Sequence, residues 1–190
     1  MTSREIETER LSLRPFTESD LDSLHQLWTE PGVRQYLWDD EVIPKERTRS
    51  IIETSIESFE ANGFGLWAVF LRSDRAMIGF CGFWNFHDPP RLELLYGITA
   101  SRWRQGFASE VARAMIRYGF EELSLERIEA STDAANLVST SVMKAVGMSF
   151  WKRELTNGLE TIYYAISREE FQGVFTQSRK ASKDAKLKTG

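Results

Sequence analysis

The sequence contains one cysteine, two histidines and no long apolar run, and each shortage excludes a class of protein. Cys81 cannot form an internal disulfide, and with His25 and His87 it provides too few ligands for a zinc or iron–sulfur site. No segment approaches the roughly 18 apolar residues that a membrane helix requires. The first ten residues are charged and lack the apolar stretch of a secretory signal. We therefore predict no metal, no membrane partner and a cytoplasmic setting.

A strong net charge is also missing. The chain has 24 basic and 28 acidic residues, a net charge of −4, which excludes a protein that coats nucleic acid through its overall charge. Residues 176–190 differ, because they carry five basic residues and one acidic residue. Such a tail can tether nucleic acid, but without interleaved aromatic residues it is more typical of a solvated terminus. We predict one domain over residues 1–175 and a disordered tail over 176–190, with nucleic acid an unexpected partner.

What the chain does contain is enough apolar surface for one core. Its 190 residues are 42% hydrophobic and 12% aromatic, which suits a single domain of ordinary size. Apolar periodicity, capping residues and turn residues divide the chain into segments. In the first third we predict a strand over 10–14, a helix from Thr17 to Pro31, an irregular segment over 33–43 and a helix from Pro44 to Gly63.

The remaining two thirds alternate differently. We predict strands over 65–72, 76–84 and 91–99, a helix over 107–122, a strand over 126–130, a helix over 139–146, and a hairpin of strands 150–155 and 160–167 turning at Asn157-Gly158. Three successive strands followed by strand–helix alternation indicate an α/β (α+β) fold. We expect a mixed sheet with helices on both faces.

The segment between the third strand of this run and the next helix is the most informative one. Gly106 and Ala108 stand at the mouth of that helix, where N–H groups without intrahelical partners and a partial positive charge can receive an anion. Small residues there allow a diphosphate to approach the backbone, and Arg102 and Arg104 add positive charge. An ordinary strand–helix turn that contains a glycine is the alternative, and by mechanism alone the two readings are equally weighted.

The residues of this loop resemble a family signature. Trp103-Arg104-Gln105-Gly106-Phe107-Ala108 is similar to the Q/R-x-x-G-x-G/A motif of the GCN5-related N-acetyltransferases (GNAT), in the W-x-x-G-x-A form of the ribosomal-protein-alanine acetyltransferase branch. The resemblance extends, in order, over about residues 6–167. Its other elements are Glu7-Thr8-Glu9-Arg10-Leu11-x-Leu13-Arg14, the strands at 65–69 and 78–82, Glu93-Leu94-Leu95-Tyr96, Asn136-x-x-Ser139, Val146-Gly147-Met148 and Tyr164-Ala165-Ile166.

The resemblance implies a mostly antiparallel sheet of about seven strands and acetyl-CoA as co-substrate. It implies that backbone N–H groups of the loop and helix start hold the pyrophosphate, and that the preceding strand edge and an Asn side chain contact pantetheine. The implied cofactor-binding residues are Ile98, Arg104, Gln105, Gly106, Phe107, Ala108, Ser109 and Asn136. Ser139 takes the position from which a hydroxyl reaches the thioester sulfur. The chain departs from the family pattern where Arg104 and Leu95 replace usual glycines and Ser141 replaces a common arginine.

The implied reaction is direct transfer of an acetyl group to a primary amine, of a protein N-terminus or a small molecule. Proton removal from the amine needs a base. Glu93 is the first candidate, because its strand leads to the thioester; Glu154 is the second, by resemblance, and His87 the third. Glu93 could instead face solvent, and Glu154 is more typical of a surface charge beside Lys152 and Arg153.

The acceptor pocket is expected to involve aromatic residues that precede or enter the sheet. These are Tyr36, Trp38 and Trp84, near the acids Asp39, Asp40 and Glu41, which would attract a cationic amine. The aromatic residues can equally belong to the core. A catalytically idle, acyl-CoA-binding regulatory protein is the alternative function, and a homodimer is possible in either case.

Overall fold

The computed structural model describes residues 5–86, 89–156 and 158–173. Within these ranges eight strands and five α-helices follow one another along the chain, before a last helical segment. They are β1 Ile6–Glu7, β2 Leu11–Pro15, α1 Leu21–Thr29, α2 Pro31–Leu37, α3 Lys45–Asn62, β3 Leu66–Leu71, β4 Met77–Phe86, β5 Arg91–Ile98, α4 Phe107–Glu121, β6 Arg127–Asp133, α5 Leu137–Ala145, β7 Ser149–Thr156 and β8 Leu159–Ser167. Residues 168–173 are also helical.

All eight strands lie in one sheet, in the order β1-β2-β3-β4-β5-β6-β8-β7. Neighbouring strands are antiparallel except β5 and β6, which run parallel. A parallel pair needs a crossover connection, and α4 supplies it. The predicted mixed, mostly antiparallel sheet is therefore confirmed, with one strand more than expected because the two-residue β1 adds an edge.

Helices cover both faces of the sheet, as predicted. On one face, α1 and α3 bury Leu24, Trp28 and Ile52 against Phe80 of β4. On the other face, α4 and α5 bury side chains such as Met115 and Met143 against residues that include Phe83 and Ile128. Alternate residues of a strand point to opposite faces, which is why adjacent residues of β3 and β4 belong to different cores.

One segment differs from its prediction. Residues 33–43 were expected to be irregular, but α2 occupies Pro31–Leu37. Pro31 does end α1, and it also starts α2, because proline suits the first helical position, where its missing N–H costs nothing. The irregular part is the shorter loop that follows, in which Asp39 and Asp40 have positive φ values of 50° and 65°.

The capping residue Asp20 is expected to contribute strongly to stability. Its carboxylate accepts two hydrogen bonds from the Arg14 guanidinium, both at 2.7 Å, and one from the Thr17 N–H at 2.8 Å. Burial would raise the pKa of Asp20, but the Arg14 and Thr17 hydrogen bonds outweigh it and hold that pKa below its usual value. Asp20→Asn should lower the free energy of unfolding by about 2–4 kcal/mol at neutral pH, because Arg14 loses the negative charge and one of the two acceptor oxygens of its partner.

Urea unfolding across pH tests this expectation. A lowered carboxyl pKa stabilises the fold above the unfolded-state pKa, and this contribution is lost as pH falls through the folded-state pKa. The difference between wild type and Asp20→Asn should therefore shrink in acid. Asp22→Asn is the matched control, since that side chain is 82% exposed. Equal losses in the two variants would contradict a special role for Asp20.

Candidate active site

The central feature of the sheet is an opening between β5 and β6. The two strands share a single register pair, Glu93 with Glu129. β5 continues beyond it, paired with β4 as far as Ile98, and β6 continues, paired with β8 as far as Asp133. The parallel strands thus diverge after Glu93, and the backbone of β5 beyond that point faces a gap in the sheet.

Backbone directions define which groups of β5 face the gap. The N–H of Thr99 donates to the C=O of Ile78 in β4 at 2.8 Å. Because backbone groups alternate between the two sides of a strand, Ile98 and Tyr96 direct theirs away from β4, toward the gap. The Ile98 C=O accepts the Trp103 Nε1–H at 2.7 Å. A pantetheine contact at Ile98 would therefore use its N–H.

The predicted pyrophosphate loop leads directly into α4. Gly106 is the N-cap residue with φ of 82°, and the first intrahelical bond runs from the Glu110 N–H to the Gly106 C=O at 3.1 Å. The N–H groups of Phe107, Ala108 and Ser109 precede that bond, so they have no partner inside the helix. They lie where the sequence predicted anion-binding groups.

Two residues of the loop have left-handed backbone. Gly106 is one, and a Cβ added to it would meet only the Arg10 guanidinium, at 3.5 Å, within 4 Å. Arg104 is the other, with φ of 59°. Glycine adopts this conformation freely, which is consistent with the glycine that is usual at this position of the loop motif. Arg104 adopts it at a conformational cost of about 1 kcal/mol or more. The loop from Trp103 to Gly106 is exposed and so accessible to a ligand.

Glu93, the first candidate base, lies where the opening begins. Its side chain is 1% exposed and its Oε2 accepts a hydrogen bond from the Ser131 hydroxyl of β6 at 2.5 Å. Trp84 of β4 is its register partner on the other side. Glu93 does not face solvent, which removes the alternative interpretation of this residue.

Glu154, the second candidate base, has different surroundings. It lies on the edge strand β7, and although β8 and β6 separate β7 from β5 in the sheet, its side chain reaches Arg91, the first residue of β5. Its carboxylate accepts the Lys152 ammonium at 2.6 Å and lies 3.7 Å from the Arg91 guanidinium. The Lys152 hydrogen bond, with help from both cations, lowers the pKa of Glu154, which makes it a weaker proton acceptor.

Ser139 and Asn136 lie at the start of α5, on the other side of the opening from β5. Asn136 is the N-cap of α5, and its Oδ1 accepts the Ser139 N–H at 3.1 Å, so its Nδ2 is the end available to a ligand. The Tyr96 hydroxyl of β5 lies 3.0 Å from the Ser139 Oγ. Burial raises the pKa of Tyr96 to about 12 despite that hydrogen bond, so the phenol keeps its proton. Tyr96 is a site residue that the sequence analysis did not select.

The predicted acceptor residues divide into core and surface. Trp38 packs edge-on against Trp28, with ring centroids 5.8 Å apart, and belongs mainly to the core of α1–α3. Tyr36 is 38% exposed on α2. Trp84 is half-buried beside that core and is opposite Glu93. The structure thus places Trp84 opposite the candidate base, while Trp38 packs against Trp28.

A second residue that the sequence analysis missed is Asp133, the last residue of β6. Burial raises its pKa, and the charge of Asp39 in the α2–α3 loop raises it further. Asp39, which was predicted to lie near the acceptor, is the carboxylate whose charge acts on Asp133. The signal in the sequence was weak, because Asp133 follows a strand whose end was predicted at Ala130.

Some predictions concern residues outside the described ranges. His87 and the tail over 176–190 are among them. Within the described ranges, no group of three His, Cys, Asp or Glu side chains is arranged to hold a metal ion. No helix in those ranges is both long and apolar enough to cross a membrane.

Comparisons with known proteins agree with this geometry. A family model described as an acetyltransferase (GNAT) domain matches residues 10–149. An uncharacterised N-acetyltransferase, p20 of Bacillus licheniformis, is 34% identical over 159 residues, which are 80% of this chain and 85% of that protein. The crystal structure of a GNAT-family acetyltransferase from Bacillus anthracis matches with a TM-score of 0.74 and 26% identity, covering 87% of this chain and 99% of that one. RimL, a ribosomal L7/L12 α-N-protein acetyltransferase solved in complex with coenzyme A, matches in fold with a TM-score of 0.73 and 22% identity, over 86% of this chain and 98% of that one.

Proposed function

The chain belongs to the GNAT acetyltransferase family, and from that premise we propose that it transfers the acetyl group of acetyl-CoA to a primary amine. The proposal rests on one observation: the start of α4 and the opening between β5 and β6 adjoin each other. The start of α4 presents N–H groups beside Gly106, and the opening between β5 and β6 leads from there toward Glu93.

These features fit the two ends of an acyl-CoA. The helix start and Arg104 offer N–H groups and a positive charge to a diphosphate. The backbone of Tyr96 and Ile98 on the side of the gap can pair with the amide groups of pantetheine as a neighbouring strand would. Asn136 Nδ2 lies on α5, across the opening, as a further contact. We therefore assign donor binding to Ile98, Asn136 and the segment from Arg104 to Ser109.

The transfer itself forms an N–C bond and breaks a C–S bond. The neutral amine attacks the thioester carbonyl, the resulting ammonium loses a proton, and the tetrahedral intermediate expels the CoA thiolate, which then takes up a proton. We assign the proton removal to Glu93, directly or through one water, because its buried carboxylate lies where the strands diverge. Glu154 is the weaker assignment, because Lys152 and Arg91 hold its charge.

The hydroxyl pair of Ser139 and Tyr96 suits the departing thiolate. Both side chains keep their protons at neutral pH, and they contact each other at 3.0 Å. Ser139 can donate a hydrogen bond to the departing sulfur, while the Tyr96 hydroxyl, which also reaches the Ser139 C=O at 3.2 Å, holds Ser139 in place. The proton that the thiolate finally takes up comes from solvent, so Ser139 stabilises the leaving group and Glu93 is the base.

The acceptor is proposed to be a cationic amine that loses its proton on binding, either a protein N-terminus or a small-molecule amine. Asp39 and Asp133 provide negative potential near the wide end of the opening, and Tyr36 and Trp84 provide apolar and aromatic surface. RimL, one of the neighbours in fold, is a ribosomal L7/L12 α-N-protein acetyltransferase. A cytoplasmic setting and a homodimer remain predictions of the same proposal.

Acetyl-CoA is expected to stabilise the protein. A ligand at 100 times its Kd adds about 2.7 kcal/mol to the free energy of unfolding. For a domain of this size that corresponds to a rise in melting temperature of about 5–10 °C. Differential scanning fluorimetry with millimolar acetyl-CoA measures it, with adenosine as the control that lacks the diphosphate. An unchanged melting temperature would contradict donor binding.

Turnover separates the enzyme from the idle acyl-CoA-binding alternative. Release of the CoA thiol is followed with a panel of peptide N-termini, polyamines, aminoglycosides and small amines. An enzyme releases thiol faster with at least one amine than without any. Tight acetyl-CoA binding with no amine-dependent release across the panel would favour the regulatory protein.

A further inference from the structure

The turn between β1 and β2 contacts the first turn of α4, about a hundred residues further along the chain. Thr8 and Arg10 lie in this turn, within the Glu7–Arg14 motif that the proposed chemistry does not use. Glu110 is their partner on α4. The contact therefore connects the edge of the sheet to the helix start proposed to bind the donor diphosphate.

Glu110 receives three hydrogen bonds at this contact and forms an ion pair with Arg10. The Thr8 hydroxyl donates to Oε1 at 2.6 Å, and the Arg10 N–H donates to the same oxygen at 2.9 Å. The Arg10 Nε–H donates to Oε2 at 2.7 Å, and Nη2 lies 2.6 Å from the same oxygen in the ion pair. Although burial would raise it, these hydrogen bonds lower the pKa of Glu110, so the carboxylate stays charged.

Arg10 also holds the loop before the helix. Its Nη1 donates to the C=O of Gln105 at 2.9 Å, and its guanidinium lies over the Phe107 ring, 4.3 Å from the centroid. Its Nη2 is the atom that a Cβ on Gly106 would approach. One side chain thus contacts the residues on both sides of Gly106 and the acid one turn into the helix.

The Arg10 guanidinium and the Glu110 carboxylate carry opposite charges at the start of α4. A carboxylate in the first turn stabilises a helix, but Glu110 would also repel a diphosphate bound at the same helix start. The guanidinium of Arg10 neutralises that carboxylate. Nη1 of Arg10 is bonded to Gln105 and Nη2 is paired with Glu110. Arg10 therefore affects the diphosphate by holding the loop and by neutralising Glu110, rather than by binding a phosphate directly.

We propose that Arg10 is a positioning residue for the donor diphosphate, which fixes the backbone of Gln105–Phe107 in its binding conformation and cancels the charge of Glu110. The proposal rests on the proposed function, since it assigns a role within the same donor site. Thr8 is the second anchor, through its bond to Glu110.

Two acetyl donors, one with the diphosphate and one without it, distinguish positioning of the diphosphate from general stabilisation of the fold. Acetyl-CoA contains the diphosphate, whereas S-acetylpantetheine carries the same thioester without it. Arg10→Gln should lower kcat/KM for acetyl-CoA about tenfold, since hydrogen bonds to charged groups are worth roughly that factor. It should lower kcat/KM for S-acetylpantetheine much less, because that donor does not reach the loop.

The charge contribution is tested by a second substitution. Arg10→Gln leaves Glu110 uncompensated, so adding Glu110→Gln to it should recover part of the lost acetyl-CoA affinity, measured as Kd by calorimetry. Arg72→Gln is the matched control. Arg72 Nη1 donates to the Thr8 C=O of the same turn at 2.9 Å, and its other side-chain contacts among the described residues are with Glu7 and Glu9. It should leave Kd for acetyl-CoA nearly unchanged.

The outcomes are separable. If Arg10→Gln affects both donors equally, or if the double variant binds no better than Arg10→Gln, the positioning role is wrong. If Arg10→Gln does not fold, Arg10→Lys keeps the charge but loses the two-pronged contact, and it should show the same preference against acetyl-CoA. If the wild type binds no acetyl-CoA, the proposed function itself is wrong, whatever the variants do.

Discussion

Replacing Glu93 by Gln is expected to lower kcat by about 10²–10⁴-fold, the usual contribution of a general base. Kd for acetyl-CoA should stay within a factor of about two, since Glu93 lies where the strands diverge and not at the helix start that receives the diphosphate. The substitution removes the basic oxygen but keeps the size and shape of the side chain. The amide oxygen of Gln can still accept the Ser131 hydroxyl, so we expect the fold to be retained.

Glu154→Gln is the matched control, as the other carboxylate considered for the role. It should reduce kcat by no more than a few-fold, because Lys152 and Arg91 already hold that charge and lower its pKa. Single-turnover measurements with a confirmed acceptor give both values. Equal, large losses in the two variants would contradict the choice of Glu93.

The pH profile distinguishes a base from a binding charge. If Glu93 removes the proton, the acidic limb of the kcat profile should flatten in Glu93→Gln, because the group whose protonation stops the reaction is gone. If Glu93 only attracts the amine, KM for the acceptor should rise while kcat is retained. Normal turnover in both carboxylate variants would leave water or His87 as the proton acceptor.

The second large effect is expected from Gly106→Asp, which should raise Kd for acetyl-CoA about 100-fold or more. Two costs combine at this position. A non-glycine residue at φ of 82° is strained by roughly 1–2 kcal/mol. A carboxylate at the mouth of α4 would also occupy the space and oppose the charge of a diphosphate.

Gly106→Asn separates the two costs, because Asn has nearly the same shape without the charge and tolerates left-handed backbone better than most residues. We expect a smaller rise in Kd for Gly106→Asn than for Gly106→Asp. The ratio of the two Kd values gives the contribution of charge repulsion. Calorimetric titration with acetyl-CoA at low and high salt measures it, since screening should reduce the difference. Unchanged affinity in a folded Gly106→Asp variant would place the diphosphate elsewhere.

Much of the fold was predictable because local rules agree with one another in this chain. The helix opened by Thr17 and Asp20, the helix that ends at Gly63 and the final hairpin at Gly158 all form as predicted. Each has its own start or stop residue, which acts on nearby backbone through a side-chain hydrogen bond or through its own backbone conformation. The segment 31–37 was mispredicted because Pro31 both ends one helix and begins the next.

The candidate site was less predictable, since its residues come from separate segments. Gly106 was found because a strand, a glycine and a helix follow one another within ten residues. Tyr96 and Asp133 were missed, because their importance depends on Ser139 and Asp39, which are distant in the chain. Spacing along the sequence carries no signal of such partners.

The amino-acid sequence by itself determined the alternation of helices and strands, the absence of a disulfide framework and the glycine-containing loop at the start of α4. These features depend on side chains acting on their own backbone or on near neighbours, so they can be deduced locally. Only the tertiary structure decided that β5 and β6 diverge after one pair, that Glu93 is buried against Ser131 and that Glu154 is held by Lys152. It also decided that Arg10 reaches Glu110 across a hundred residues. Those relations arise from the order of strands in the sheet, which is set by packing both faces against helices rather than by any single segment.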